Sequence, residues 1–272
     1  MNIFINNVFF HVMFDKKKIN FNHLRSHKNS EKNKRTKKFF DTISNTILER
    51  AASKINITKD NNILELAARN NSFYKILQSN GLEKKFIQTC LSSDINLLNK
   101  KRVIIDLNNQ AFIPNFFDLC FSFFSINSSN NIPKVFNNIF NTLKPGGILL
   151  TVLPSNYSFV EFRNYFLNFF KPSKNYSFNP SLDIHTLGNI ANSVGFKNII
   201  VDKEDFKFTV RAPEDIWNFI RSTGESNYLK NRKDFFIKKS EYNKFYKQYK
   251  NELLKKNLVN NTFSLYFFIG NK

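Results

Sequence analysis

Residues 117–154 read FDLCFSFFSINSSNNIPKVFNNIFNTLKPGGILLTVLP, and their order of patterns decides the fold. Asp118 opens the apolar run Leu119, Cys120, Phe121, Phe123 and Phe124, too continuous for a half-exposed strand and suited to a parallel strand covered on both faces. Pro133 falls where a first helical turn tolerates proline, and Val135, Ile139, Phe140 and Leu143 then recur at helical spacing. Pro145-Gly146-Gly147 ends that helix, and Ile148, Leu149, Leu150, Val152 and Leu153 supply the next buried strand. The stretch is one β-α-β unit.

Outward from it, further strands are expected at Ile63 to Leu66, Phe86 to Cys90, Val103 to Ile105, Ile199 to Val201 and Phe263 to Phe268, with Phe206 to Val210 extending the sixth. With the two strands of the central unit this makes seven, joined early in the chain by helices. Right-handed crossovers then give an α/β fold with a doubly wound, Rossmann-like sheet. Ahead of it, Phe40, Ile43, Ile47, Leu48, Ala51 and Ile55 line one face of a helix over 39–57. Between the sixth and last strands, 213–256 reads as a helical insertion capping the carboxyl ends of the strands. Residues 1–38 read as a basic flexible arm and 39–272 as the folded domain. Met1 and Met13 are the two methionines, and a start at Met13 would leave 1–12 untranslated.

The 272 residues suit one α/β domain with additions. A net charge of +20 suggests an anionic partner, but the lysines are scattered among enriched Asn, Ile and Phe, as an AT-rich coding sequence produces. Nucleic acid therefore ranks third among the readings. Tyr242, Phe245, Tyr246 and Tyr249 are read as a packed helix face before they are read as a base-stacking surface. Cys90 and Cys120 fall in buried strands with no redox or zinc spacing, as small core residues of a reducing compartment. No apolar run approaches the roughly 20 residues that span a bilayer. A soluble protein of the bacterial cytoplasm, or of the mitochondrial matrix in a eukaryote, is expected.

The LKPGG run at 143–147 resembles the region between the fourth and fifth strands of class I S-adenosylmethionine-dependent methyltransferases. The likeness narrows at IRSTGESNYLKNR (220–232), FVEFRNYF (159–166) and the basic segment 14–28. These are similar to the methyltransferase-fold assembly factors of respiratory complex I and to the malonyl-acyl-carrier-protein O-methyltransferases of biotin synthesis, with the GESN run favouring the assembly factors. The resemblance covers about 14–270. It implies S-adenosylmethionine as cofactor and a protein or acyl-carrier substrate, such as a complex I subunit.

Carried over residue by residue, the resemblance implies that the turn after the first strand, ILELAARNN (63–71), holds the cofactor through an acid and three glycines. Glu65 keeps the acidic place, or is a strand-end charge. Ala67, Arg69 and Asn71 hold the glycine places, and of these Asn71 best tolerates a left-handed backbone. Cys90 stands where a carboxylate would bind both ribose hydroxyls, a loss worth about 3 kcal/mol; Asp94 is either its substitute or a helix-start residue. Asp106 holds the adenine-contacting place, or is a solvated strand end. Residues 126–131, with Asn127, replace a Leu-His-Trp-x-x-Asp run. On the substrate or partner side the matching positions are Arg163, Arg221, Gly224, Glu225 and Asn227. Arg163 and Arg221 could clamp a carboxylate or form ordinary ion pairs. Two explanations of the altered rim stand open: drift with cofactor binding retained, or a noncatalytic assembly module.

His11, His23 and His27 fall in the basic arm and His185 stands alone, so neither a metal site nor a Ser-His-Asp set is expected. All four histidines, and Arg69, are expected to be solvated.

Overall fold

The computed structural model describes residues 13–30, 32–109, 112–171, 178–234, 237–255 and 260–272. Two helices, α1 (Lys16–Ser30) and α2 (Lys34–Ala52), precede β1 (Ile63–Leu66), α3 (Ser72–Ser79), β2 (Phe86–Cys90), β3 (Arg102–Ile104) and β4 (Phe117–Phe123). Then come α4 (Ile132–Thr142), β5 (Leu143–Pro154), α5 (Val160–Phe170), α6 (Ile184–Val194) and β6 (Lys197–Thr209). The chain closes with α7 (Pro213–Thr223), α8 (Lys239–Lys255) and β7 (Asn260–Asn271). The seven strands lie in the order β3-β2-β1-β4-β5-β7-β6. The first five run parallel, and β7 enters antiparallel between β5 and β6.

The central unit folds as its pattern requires. Leu119, Cys120 and Phe121 are fully buried, Pro133 lies in the first turn of α4, and Asn131 caps that helix by accepting from Lys134 N at 3.0 Å. Gly147 is obligatory within β5, where the pairing with β4 shifts register, for a Cβ there would lie 2.9 Å from the Lys144 carbonyl and 3.1 Å from that of Phe117. Alternate strand residues feed two cores. On one face Ile63, Phe121 and Leu150 meet α2, α3 and α5 through Ile43, Phe73 and Phe162. On the other, Leu64, Cys120 and Leu149 meet α4 and α6 through Phe136 and Leu187. Phe245 and Tyr249 of α8 are buried and stack at 5.7 Å, the packed face that their spacing suggested.

Three expectations need correction. The stretch expected to be a flexible arm is helical from Lys16, because α1 buries polar residues (Asn22, His23, Ser26 and Ser30) that carry no hydrophobic periodicity; residues 1–12 lie outside the described residues. The helix expected at 39–57 runs from Lys34 to Ala52, started by Asn33, whose side chain accepts from Arg35 N and Thr36 N. No helix joins β2 to β3, so Asp94 starts none and lies in an exposed turn. The sixth strand runs on through Phe206 as expected, the charges at 202–205 being accommodated on an outer edge.

Candidate functional site

The carboxyl ends of β1, β2, β4 and β5 open on one edge, where parallel sheets bind ligands. Register sets Glu65 beside Gln88, which donates to Glu65 Oε2 at 2.8 Å. Glu65 is buried rather than a solvated strand end, and burial pushes its carboxyl up to about 8 against the opposing effect of that hydrogen bond. Directly after β1, Ala67 has φ +49°, the left-handed backbone that a glycine would favour. Its N–H donates to Thr89 Oγ1 at 2.8 Å, and the next N–H, of Ala68, donates to the Thr89 carbonyl at 2.7 Å. Ala67 thus takes the left-handed backbone expected at a glycine place, without a glycine.

Arg69 departs furthest from expectation. Its side chain, expected in solvent, is 1% exposed. The guanidinium donates to the carbonyl of Phe124 at the end of β4, to that of Thr223 at 2.7 Å, and to Glu225 Oε1 at 2.6 Å. Gly224, at φ +82°, caps α7, and a Cβ there would meet Arg69 at 2.9 Å and Ser26 at 3.1 Å. Glu225 also accepts from Asn127 at 3.2 Å, and Asn127 donates to the Tyr228 hydroxyl at 3.1 Å. Burial raises Glu225 above the usual carboxylate range although Arg69 opposes it, and burial then the Glu225 charge raise Tyr228. His23 of α1, also expected in solvent, is buried; burial and then Arg69 hold it well below the usual imidazole value.

The remaining cofactor candidates are enclosed or engaged. Cys90 is 1% exposed among Ala68, Ile95 and Leu97, with Leu24 of α1 over them. Asn71 is not left-handed (φ −102°) and uses Oδ1 to accept from Leu98 N at 2.8 Å. Asp106 pairs with Lys16 at 2.6 Å, which together with Asn108 outweighs burial and lowers its carboxyl. Helix α1 thus lies across the edge from Asp106 to α7, where Asn22 donates to the Ser226 carbonyl at 2.6 Å and Ser26 to that of Ser222 at 2.7 Å. One feature of this crevice suits S-adenosylmethionine, the left-handed backbone of Ala67 at the expected first glycine place. The side chains at the expected places do not suit it: where a ribose-binding carboxylate was expected there is a buried thiol, Cys90, and where the second glycine was expected there is a paired guanidinium, Arg69.

Beside the crevice, a cavity of about 450 Å³ lies between the end of β5, α5, α7 and α1. Asn127 and Glu225 form the shared wall, whereas Glu65, Arg69, Cys90 and Asp106 do not line it. Its cations are Lys18, Arg25, Arg163, Arg221 and Arg232, set against the apolar Phe159, Phe178, Trp217 and Ile220. Arg232 pairs with Asp15 at 2.9 Å. Among the described residues no carboxylate lies within ion-pair distance of Arg25, Arg163 or Arg221. Arg163 is held by donating to the Asn156 carbonyl at 2.9 Å and lies over the Phe178 ring. Burial, then Arg25 and Arg232, lower Lys18; burial, then Arg221, lower Arg25. Asn227 lines the cavity too, its Oδ1 accepting from Leu229 N at 2.9 Å.

Of the positions expected on the substrate or partner side, Arg163, Arg221, Glu225 and Asn227 line this cavity and Gly224 does not; Lys18 and Arg25, hidden in the supposed arm, and Thr89, Gln88 and Tyr228 were not expected. One available signal was the polar stripe Asn22, Ser26, Ser30 at four-residue spacing, which marks a helix face turned to hydrogen-bonding partners. Among the described residues no cluster of His, Cys, Asp and Glu could hold a metal ion, and no helix is long and apolar enough to cross a membrane.

Comparison with known proteins gives three kinds of likeness. The family described as a methyltransferase domain matches residues 23–201. The mitochondrial arginine-hydroxylase NDUFAF5 of Mus musculus is 24% identical over 163 residues, 58% of this chain and 46% of that protein. Malonyl-[acyl-carrier protein] O-methyltransferase 2 of Coxiella burnetii is 25% identical over 147 residues, 54% of each. The chain therefore spans about half the length of these curated relatives. The crystal structure of the YcgJ protein of Bacillus subtilis superposes with a TM-score of 0.52 at 9% identity, over 84% of this chain and 98% of that one.

Proposed function

The chain belongs to the methyltransferase-domain family, is S-adenosylmethionine-dependent-methyltransferase-like with that cofactor implied by its family, and we propose that it receives an acidic group borne by a protein or acyl carrier. The observation that carries this reading is the charge of the cavity. Five cations and one carboxylate, Glu225, which is paired with Arg69, face a space of about 450 Å³ whose other walls are aromatic, aliphatic and uncharged polar. Such a site suits a carboxylate on an apolar stem, as guanidinium forks match carboxylate oxygens.

Within this reading the protein works in the manner of a complex I assembly factor, in a bacterial cytoplasm or a mitochondrial matrix. The GESN loop supports it: Asn179 donates to the Glu225 carbonyl at 3.0 Å and accepts from Tyr228 N at 2.9 Å, so the loop is a built wall of the cavity. A second reading, a noncatalytic assembly module of the same fold, is favoured by Arg69, which fills the crevice where a cofactor would lie.

Trp217 lines the cavity and is the sole tryptophan of the chain, so its fluorescence reports occupancy. Malonyl-pantetheine should change the emission saturably, and Arg221→Ala or Arg163→Ala should weaken that binding about tenfold or more. An arginine-bearing peptide that saturates the signal where malonyl-pantetheine does not would overturn the reading.

A further inference from the structure

Arg69 reaches across three separate parts of the chain: the carbonyl at the end of β4, the last carbonyl of α7, and the Glu225 carboxylate beyond it. No local rule of turn chemistry demands this. A loop arginine ordinarily extends into water, where its charge is solvated at no conformational cost. Here it is turned inward beside a turn whose backbone still has the left-handed form at Ala67. Gly224, opposite, leaves the space that the guanidinium needs.

We propose that Arg69 is a built-in occupant of the cofactor crevice, and that the crevice admits a nucleoside ligand only after this side chain swings away from Glu225 and the Phe124 carbonyl. The inference rests on the reading that the crevice beyond β1 and β4 is the cofactor's place in the fold. Its closed form is imperfectly satisfied. Arg69 Nε, Asn127 Oδ1 and both ring nitrogens of His23 are buried with no hydrogen-bond partner among the described residues. Buried polar atoms without partners disfavour the state that contains them. The occupant is therefore a latch rather than an inert filling: its departure exposes Glu225, Asn127 and His23 to a polar ligand. Glu225 and Asn127 also wall the neighbouring cavity, so opening of the crevice and occupancy of the cavity share two residues.

The test is calorimetric titration of the full chain with S-adenosylhomocysteine, in the wild type, in Arg69→Gly, which restores the small residue, and in Arg69→Met, which keeps the bulk and removes the charge. The proposal expects no saturation of the wild type or Arg69→Met below millimolar ligand, and binding tightened about tenfold or more in Arg69→Gly. Micromolar binding by the wild type, or folded Arg69→Gly binding no better than Arg69→Met, would overturn it. Should Arg69→Gly not fold, amide exchange at Thr223 to Glu225 in the wild type at millimolar S-adenosylhomocysteine decides: a change in protection, as the side chain leaves the Thr223 carbonyl and Glu225, supports the latch, and unchanged protection contradicts it. The Trp217 titration reads the cavity, so failure of the cavity reading is seen separately.

Discussion

Arg69 and Glu225 lie 156 positions apart in the chain and form a 2.6 Å ion pair whose side chains are 1% and 10% exposed. Removing one partner from such a pair leaves an uncompensated buried charge, at a cost of about 3–5 kcal/mol. Glu225→Ala should lower stability to denaturant by that order. Arg69→Met combined with Glu225→Gln should lose less than Glu225→Ala alone, since neither charge then remains. Equal losses would show that the residues act by packing and not as a pair.

Gly224→Ala should be damaging for two reasons: an L-residue at φ +82° is strained, and the new methyl would meet Arg69 at 2.9 Å. A loss of about 2 kcal/mol corresponds to a Tm lower by about 4–8 °C for a domain of this size. Gly188→Ala is the internal control. It sits inside α6 with nothing within 4 Å of the new Cβ, and alanine there should stabilise by about 0.5–1 kcal/mol.

Glu65 gives stability a pH dependence of definite sign. Its carboxyl titrates near 4.5 when unfolded and at about 8 in the fold, so between those values the folded state holds the extra proton. Stability falls as pH rises through that window and levels off above it. Glu65→Gln mimics the protonated form, keeps an acceptor for Gln88, and should be more stable than wild type at pH 8 while matching it at pH 4.5. Urea midpoints measured across this range would show the gap opening with pH.

Helix α1 is held by its buried polar face. The Lys16–Asp106 pair, 66% and 28% exposed, is solvent-screened and contributes about 0–1 kcal/mol. Lys16→Ala should therefore change thermal stability little. Ser26→Ala leaves the buried Ser222 carbonyl without that donor, and should cost about 1–3 kcal/mol.

Most of the sheet was readable because buried parallel strands are continuous apolar runs: β1 and β2 begin and end where Ile63–Leu66 and Phe86–Cys90 predicted. Helix α1 was unreadable by the same criterion, since Asn22, His23 and Ser26 are buried through hydrogen bonds and close contact, not hydrophobicity. The exposed apolar pair Val103 and Ile104 showed a strand without showing that it lies at the sheet edge. For the site, local text located the turn after β1 and the GESN loop, but nothing near Arg69 in sequence reveals partners at Phe124, Thr223 and Glu225. Those contacts exist only once α7 is folded over the sheet edge.

The most direct measurement is a crystal structure of the wild-type chain grown with submillimolar S-adenosylhomocysteine. The account predicts the Arg69 guanidinium in density between the Phe124 carbonyl and Glu225, with no nucleoside in the crevice. Density for the ligand beyond the ends of β1 and β4, with Arg69 still paired to Glu225, would contradict it.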